Sequence, residues 1–178
     1  GIKHGILKLA AQYIGDATVP VAEQYSLIPD AQPRLIHIAE KICPAMVFAE
    51  DAEKFARGLA LPQFDNALKV VGGLAGTGMI TFERLLASTT NISAARDTVT
   101  PQTLAKILFT SGSTSTPKGV PQTHHMMCVN QNQYSGCLPF LKARPPVILS
   151  WLPWNHVFAG NSNFNMALVR IPANQRVA

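Results

Sequence analysis

Residues 107–120 of this chain read Ile-Leu-Phe-Thr-Ser-Gly-Ser-Thr-Ser-Thr-Pro-Lys-Gly-Val. The apolar run at 105–109 has the composition of a short buried strand. It stops abruptly at Thr110, Ser111, Gly112, Ser113 and Thr114, each of which carries a hydroxyl or no side chain. Pro117-Lys118-Gly119 follows, and Val120 restarts an extended segment. Such a loop turns backbone N–H groups and hydroxyls toward one concave spot, with a mobile lysine at its far end. A polyphosphate needs that arrangement.

The phosphate loop of kinases and GTPases, G-x-x-x-x-G-K-[ST], is the obvious rival. Pro117 stands where its second glycine belongs, and proline has no N–H to donate. Gly119 stands where its metal-binding hydroxyl belongs. Val120-Pro121-Gln122-Thr123 reads as extended chain, so no helix N-terminus follows the lysine directly. A plain Ser/Thr/Gly loop is the bland alternative. Its order, strand-terminal and closed by Pro-Lys-Gly, favours the phosphate reading.

Thr110 to Gly119 resembles the signature loop of the adenylate-forming (AMP-binding) superfamily: acyl- and aryl-CoA synthetases, nonribosomal adenylation domains and luciferases. The family pattern is T-S-G-[ST]-T-G-x-P-K-G, and the departure is Ser115 in place of glycine. If that position needs positive φ, serine there costs about 1 kcal/mol. A second block, Ser150-Trp-Leu-Pro-Trp-Asn-His-Val-Phe-Ala-Gly160, resembles the family's LPxxHxxG segment. Here 147–151 is expected to be a buried strand that Pro153 breaks, with His156 in the first turn of the next helix. Three further stretches resemble feruloyl-CoA synthetases: Val19-Pro-Val-Ala-Glu-Gln-Tyr-Ser-Leu27, Met126-Met-Cys-Val-Asn-Gln131 and Asn161-Ser-Asn-Phe-Asn-Met166.

The resemblance implies roles. Thr110, Ser111, Gly112, Ser113, Thr114 and Lys118 would bind the nucleotide phosphates. Lys118 and His156 would be catalytic, and His156 with Phe158 would line the acyl pocket. The complete enzyme would take ATP, Mg2+, CoA and an aryl carboxylic acid of hydroxycinnamic type. Residues 1–178 would form part of an adenylation domain. The family's later glutamate, ribose-binding aspartate and C-terminal lysine have no counterpart here, which implies a chain inactive by itself. A non-catalytic nucleotide- or anion-binding module, or an inactive remnant, is the alternative. The segment 169–178 is polar and basic where the family has apolar sheet. That segment and a start without methionine lead us to expect a piece of a longer protein with a non-native or unpacked tail.

The order of elements is α/β: a layered, largely parallel sheet flanked by helices. Asp30 is expected to cap a helix with the stripe Leu35, Ile38, Ala39 and Ile42. Strands are expected at 45–49 and 68–71, with Gly72 and Gly73 ending the second. Asp51, Thr81 and Thr123 are expected to cap three more helices. The last runs from His124 toward Gly136, with a wet face at 130–133. Residues 88–100 read as a connecting loop. In such sheets ligands sit beyond the carboxyl ends of strands, where both motifs fall.

Composition narrows the rest. Hydrophobic residues make up 47% and charged residues 14%, which excludes a disordered chain. The formal charge of +5 is scattered, with none of the basic clustering that nucleic-acid binding requires. No run reaches the length of a membrane span. Cys43, Cys128 and Cys137 form no C-x-x-C pair, and three cysteines make a poor disulfide framework. Reduced thiols in a cytoplasmic protein are the expectation. His124 and His125 are adjacent on a helix, about 100° apart, and do not chelate together. Gly73 to Gly78 follows a strand but does not spell a dinucleotide motif. The acidic residues Glu40, Glu50, Asp51 and Glu53 suit helix starts and solvated faces.

Overall fold

The structure is a computed structural model that describes residues 1–110, 116–143 and 147–170. Helix α1 (Ile2–Tyr13) leads through a short α2 (Gln24–Leu27) into α3 (Gln32–Ile42). Strand β1 (Met46–Ala49), a short α4 (Ala56–Leu59) and β2 (Leu68–Val71) follow, then β3 (Met79–Thr81) and α5 (Phe82–Leu86). After α6 (Ser93–Asp97) come β4 (Leu104–Thr110), β5 (Lys118–Thr123) and α7 (His124–Cys137). A turn α8 (Phe140–Ala143) precedes a π-helical segment (Phe158–Asn163) that runs directly into α9 (Phe164–Arg170).

β1, β2 and β3 form a parallel sheet in that order, with Phe48 opposite Val70 and Val70 opposite Ile80. β2 is the centre, and consecutive side chains on a strand face opposite ways. Val70 packs against Leu7 of α1 and Phe82 of α5. Val71 packs against Ala49 and Leu59. Both valines are fully buried, each worth about 1.5–3 kcal/mol of apolar burial. The sheet is therefore covered on both faces, as an α/β layering requires. A further cluster joins Leu35 and Ala39 of α3 to Leu61 and Phe64.

β4 and β5 are a separate antiparallel hairpin. Its register slips between Leu104 and Lys106, leaving Ala105 as a bulge. The Ala105 carbonyl is nonetheless satisfied, accepting from the Thr18 N–H at 3.0 Å and from Gln12 Nε2 at 3.1 Å. The Ile107 N–H returns to the Thr18 carbonyl at 3.0 Å. Thr18 thus stitches the end of α1 to the outer edge of β4.

Two of the expected caps hold as drawn. Thr81 Oγ1 accepts from the Arg84 N–H and Thr123 Oγ1 from the Met126 N–H. Asp51 accepts from the N–H groups of Glu53 and Lys54, both at 2.9 Å, and so caps the turn that leads into α4. Asp30 does not cap α3. It lies in a 3-10 turn, Pro29–Ala31, that occupies the space before the helix, and Ala31 stands at the N-cap. Residues 88–100 are not all loop: the Asn91 side chain accepts from the Ser93 N–H and starts α6. Residues 147–150 form no strand, and Val147, Leu149 and Trp151 are almost wholly exposed. A strand needs a hydrogen-bonded neighbour, and no described strand runs beside this segment.

Val169 and Arg170 end α9, and the remainder of the expected tail, 171–178, lies outside the described residues. Among the described residues no helix is long and apolar enough to cross a membrane. Cys43, Cys128 and Cys137 are free and exposed.

Candidate functional site

The hairpin sets the geometry of the first motif. Thr110, the last residue of β4, stands opposite Lys118, the first of β5. The Thr110 hydroxyl reaches the Lys118 carbonyl at 3.5 Å. Both residues are exposed at the mouth of the loop between them. Ser111, Gly112, Ser113 and Thr114, and the strain expected at Ser115, lie outside the described residues. Pro117 is buried, and His37 Nε2 donates to its carbonyl at 3.2 Å. That contact clamps the far side of the loop onto α3. Nothing in the sequence marks His37, because a lone histidine on a helix carries no local signal.

The second motif is a turn with its own internal bonds. The His156 N–H donates to the Pro153 carbonyl at 3.0 Å, and the His156 carbonyl accepts from the Gly160 N–H at 2.9 Å. His156 Nδ1 accepts from the Phe158 N–H at 3.3 Å. That bond ties the ring to the start of the π-helical segment, and an imidazole accepting at Nδ1 carries its proton on Nε2. His156 and Phe158 are both exposed. Trp154, just before them, anchors the turn on α1. Its ring lies 5.5 Å from that of His4 and 4.7 Å from that of Phe164.

The two motifs are joined by a buried polar junction. Lys106 Nζ donates to the Gly160 carbonyl at 3.0 Å and to Asn161 Oδ1. Asn161 Nδ2 donates to Gln122 Oε1 of β5 at 2.9 Å. Gln131 Nε2 of α7 donates to the Asn161 carbonyl at 3.1 Å, and Tyr134 pairs with Ser162 at 2.9 Å. The amide-rich middle of α7 is therefore partly turned inward: Gln131 is buried on this junction while Asn132 and Gln133 face solvent. Lys8 Nζ reaches the same Gly160 carbonyl at 3.1 Å and sits 3.7 Å from the Phe164 ring centroid. Gly160 is obligatory here, since any Cβ would overlap the Trp154 carbonyl oxygen. The junction lies four residues along each strand from Thr110 and Lys118, or about 13 Å. No hydrogen bond among the described residues joins Lys118 or Thr110 directly to His156 or Phe158.

Burial dominates the electrostatics of this region. It pushes the Lys8 ammonium down to about 7, helped by the Lys106 charge. It pushes Lys106 down to about 8. Burial, with nearby positive charge, holds His4 down to about 4. A cleft of about 860 Å3 opens beside these groups, lined by His4, Lys8, Val47, Ile107, Trp154 and Asn155 among others. Leu152 to Asn155 of the second motif line it, whereas Thr110, Lys118, His156 and Phe158 do not. No group of three His, Cys, Asp or Glu side chains among the described residues could hold a metal ion.

A family model described as AMP-binding enzyme matches residues 2–170. The chain belongs to the AMP-binding enzyme family. It is 26% identical over 137 residues to the medium-chain fatty-acid–CoA ligase of Escherichia coli (strain K12). That match covers 72% of this chain and 23% of the ligase, so the chain spans about a quarter of this relative's length. Among solved structures, a malonyl-CoA ligase product complex with methylmalonyl-CoA and AMP superposes with a TM-score of 0.67 at 18% identity. It covers 96% of this chain and 31% of that one. McyG A-PCP complexed with phenylalanyl-adenylate gives 0.63 at 24% identity, covering 90% and 24%. These two likenesses establish the fold: the α/β layering is that of adenylate-forming ligase domains.

Proposed function

We propose that this chain carries the phosphate-binding and carboxylate-placing segments of an AMP-forming acid–CoA ligase whose acid is aromatic, of hydroxycinnamic or feruloyl type. The observation that carries the reading is the β4–β5 hairpin. It places Thr110 and Lys118 opposite each other at the mouth of the signature loop, in a chain of the AMP-binding family. In the complete enzyme a carboxylate oxygen attacks the α-phosphorus of ATP, and pyrophosphate leaves. The CoA thiol then attacks the acyl carbon, and AMP leaves. Lys118 and the loop donors would stabilise the charge that gathers on the departing pyrophosphate. His156, with its proton on Nε2, would donate to the carboxylate, and Phe158 would stack against the ring behind it. No step is assigned to Mg2+.

The aromatic assignment rests on the three stretches like those of feruloyl-CoA synthetases and on the half-exposed Phe158 ring. Titrating the chain with ferulic acid and with octanoic acid, in the presence of ATP, tests it. The expected result is that ferulic acid alone shifts the NMR signals of residues 156–160. Equal shifts with octanoic acid would discard the aromatic preference. Absence of any ATP effect would favour a remnant without nucleotide function.

A further inference from the structure

The polar junction beneath the π-helical segment has no role in the reaction as outlined. Lys106 is wholly buried in the middle of an apolar strand, and none of the ion pairs among the described residues includes it. Burying an ammonium without a carboxylate is costly, and a leucine or methionine would fill the same space. What the charge gains is a set of bonds to one turn. In a π-helical stretch the backbone ladder shifts to i→i+5, and such stretches tend to mark functional sites. Here the carbonyls of Gly160 and Asn161 are taken by side chains from α1, β4 and α7. The Asn161 amide accepts from Lys106 on one side and donates to Gln122 on the other. It bridges both strands of the hairpin. The bulge at Ala105 falls immediately before Lys106, and bulges re-aim the side chains around them.

Resting on the ligase reading above, we infer that Lys106, acting through Asn161, is a positioning residue. It fixes the turn that carries His156 and Phe158 to the hairpin that carries Thr110 and Lys118. The distance between phosphate donors and acyl-pocket residues is then set by one partly buried amide. A charge-assisted bond holds that setting more firmly than a neutral one. Lys106 itself touches no reacting atom.

The test uses the 178-residue chain. Lys106→Met is the direct variant, but a change at so buried a position can also disturb folding. Asn161→Ala and Asn161→Asp keep the question answerable. In Asn161→Asp the new carboxylate still accepts from Lys106, and the Gln122 amide can turn to donate to it. The aspartate variant should therefore rescue what the alanine variant loses. Expected in Asn161→Ala are shifted NMR signals across 156–162 and exchange of the Gly160 N–H at least about tenfold faster. Asn161→Asp should restore both. In the unmodified chain, inorganic pyrophosphate bound at Thr110 and Lys118 should also move the signals of Phe158 and Gly160. In Asn161→Ala it should move the hairpin signals alone. An alanine variant with unchanged Gly160 exchange, or an aspartate as disruptive as the alanine, overturns the inference. If pyrophosphate fails to bind the unmodified chain while the alanine still frees the turn and the aspartate restores it, the ligase reading fails and the positioning role stands.

Discussion

Lys8 and Lys106 donate to one acceptor, the carbonyl oxygen of Gly160, at 3.1 and 3.0 Å. Burial lowers both groups from their ordinary value of 10.5, and the Lys106 charge lowers Lys8 further. The unfolded chain therefore binds more protons than the folded one between pH 7 and 10.5. Stability rises with pH across that window and stays at its lower level below it, where both charges persist inside.

Lys8→Met removes one of these titrations. The variant should be more stable than the parent at about pH 7. Its stability should climb less steeply above that pH, by up to about 1.4 kcal/mol per pH unit. Urea unfolding at about pH 7, 8 and 9 measures this. Parallel curves for parent and variant would mean that Lys8 keeps an ordinary proton.

Two glycines to alanine should act in opposite directions. At Gly160 the new methyl meets the Trp154 carbonyl, and a loss of about 1–3 kcal/mol is expected. At Gly136 in α7 no atom lies within 4 Å of a Cβ, so alanine should stabilise by about 0.5–1 kcal/mol. Thermal unfolding midpoints decide both, and a neutral Gly160→Ala would refute the packing argument.

The caps offer a graded comparison. Thr81→Ala and Thr123→Ala each remove an acceptor from a helix start and should cost about 1 kcal/mol. Asp30→Ala removes no cap and should change stability by less than about 0.5 kcal/mol. Denaturation midpoints of the three variants test the assignment directly.

That contrast marks where the sequence could be read. Strands β1, β2 and β4 were legible because short apolar runs ended in glycine or polar punctuation, and β5 because an extended segment restarts at Val120 after Pro-Lys-Gly. Thr81 and Thr123 were legible because each cap sits next to its helix. Asp30 misled because it lies inside a 3-10 turn, and Ala31 takes the cap position before α3. α1 escaped notice for a different reason. Its inward face includes Lys8 and Gln12 beside Leu7, which blurs the apolar period that betrays an amphipathic helix. β3 is three residues long and too short for a pattern. Residues 147–150 have strand composition without a partner, and composition does not reveal pairing. Both ends of the loop between β4 and β5 and the His156 turn were legible as motifs. Their link through Lys106, Asn161 and Gln122 was not, since its members are 55 and 39 residues apart.

His37 should matter to the loop although it lies on a distant helix. His37→Phe keeps the bulk but loses the bond to the Pro117 carbonyl. The Lys118 and Gly119 amides should then exchange faster, by about three- to tenfold for one lost bond. Hydrogen exchange read at those amides checks this, and unchanged rates would reduce His37 to a packing residue.

The β4–β5 hairpin is the proposed phosphate cradle, with Lys118 as its charge. ATP titrated onto the 178-residue chain, followed by NMR at the backbone amides of Thr110, Lys118 and Gly119, tests it most directly. Expected are saturable shifts at those amides and affinity at least about tenfold weaker in Lys118→Ala, as for loss of a charge-assisted contact. Silence at those amides, or equal affinity in the alanine variant, would contradict it.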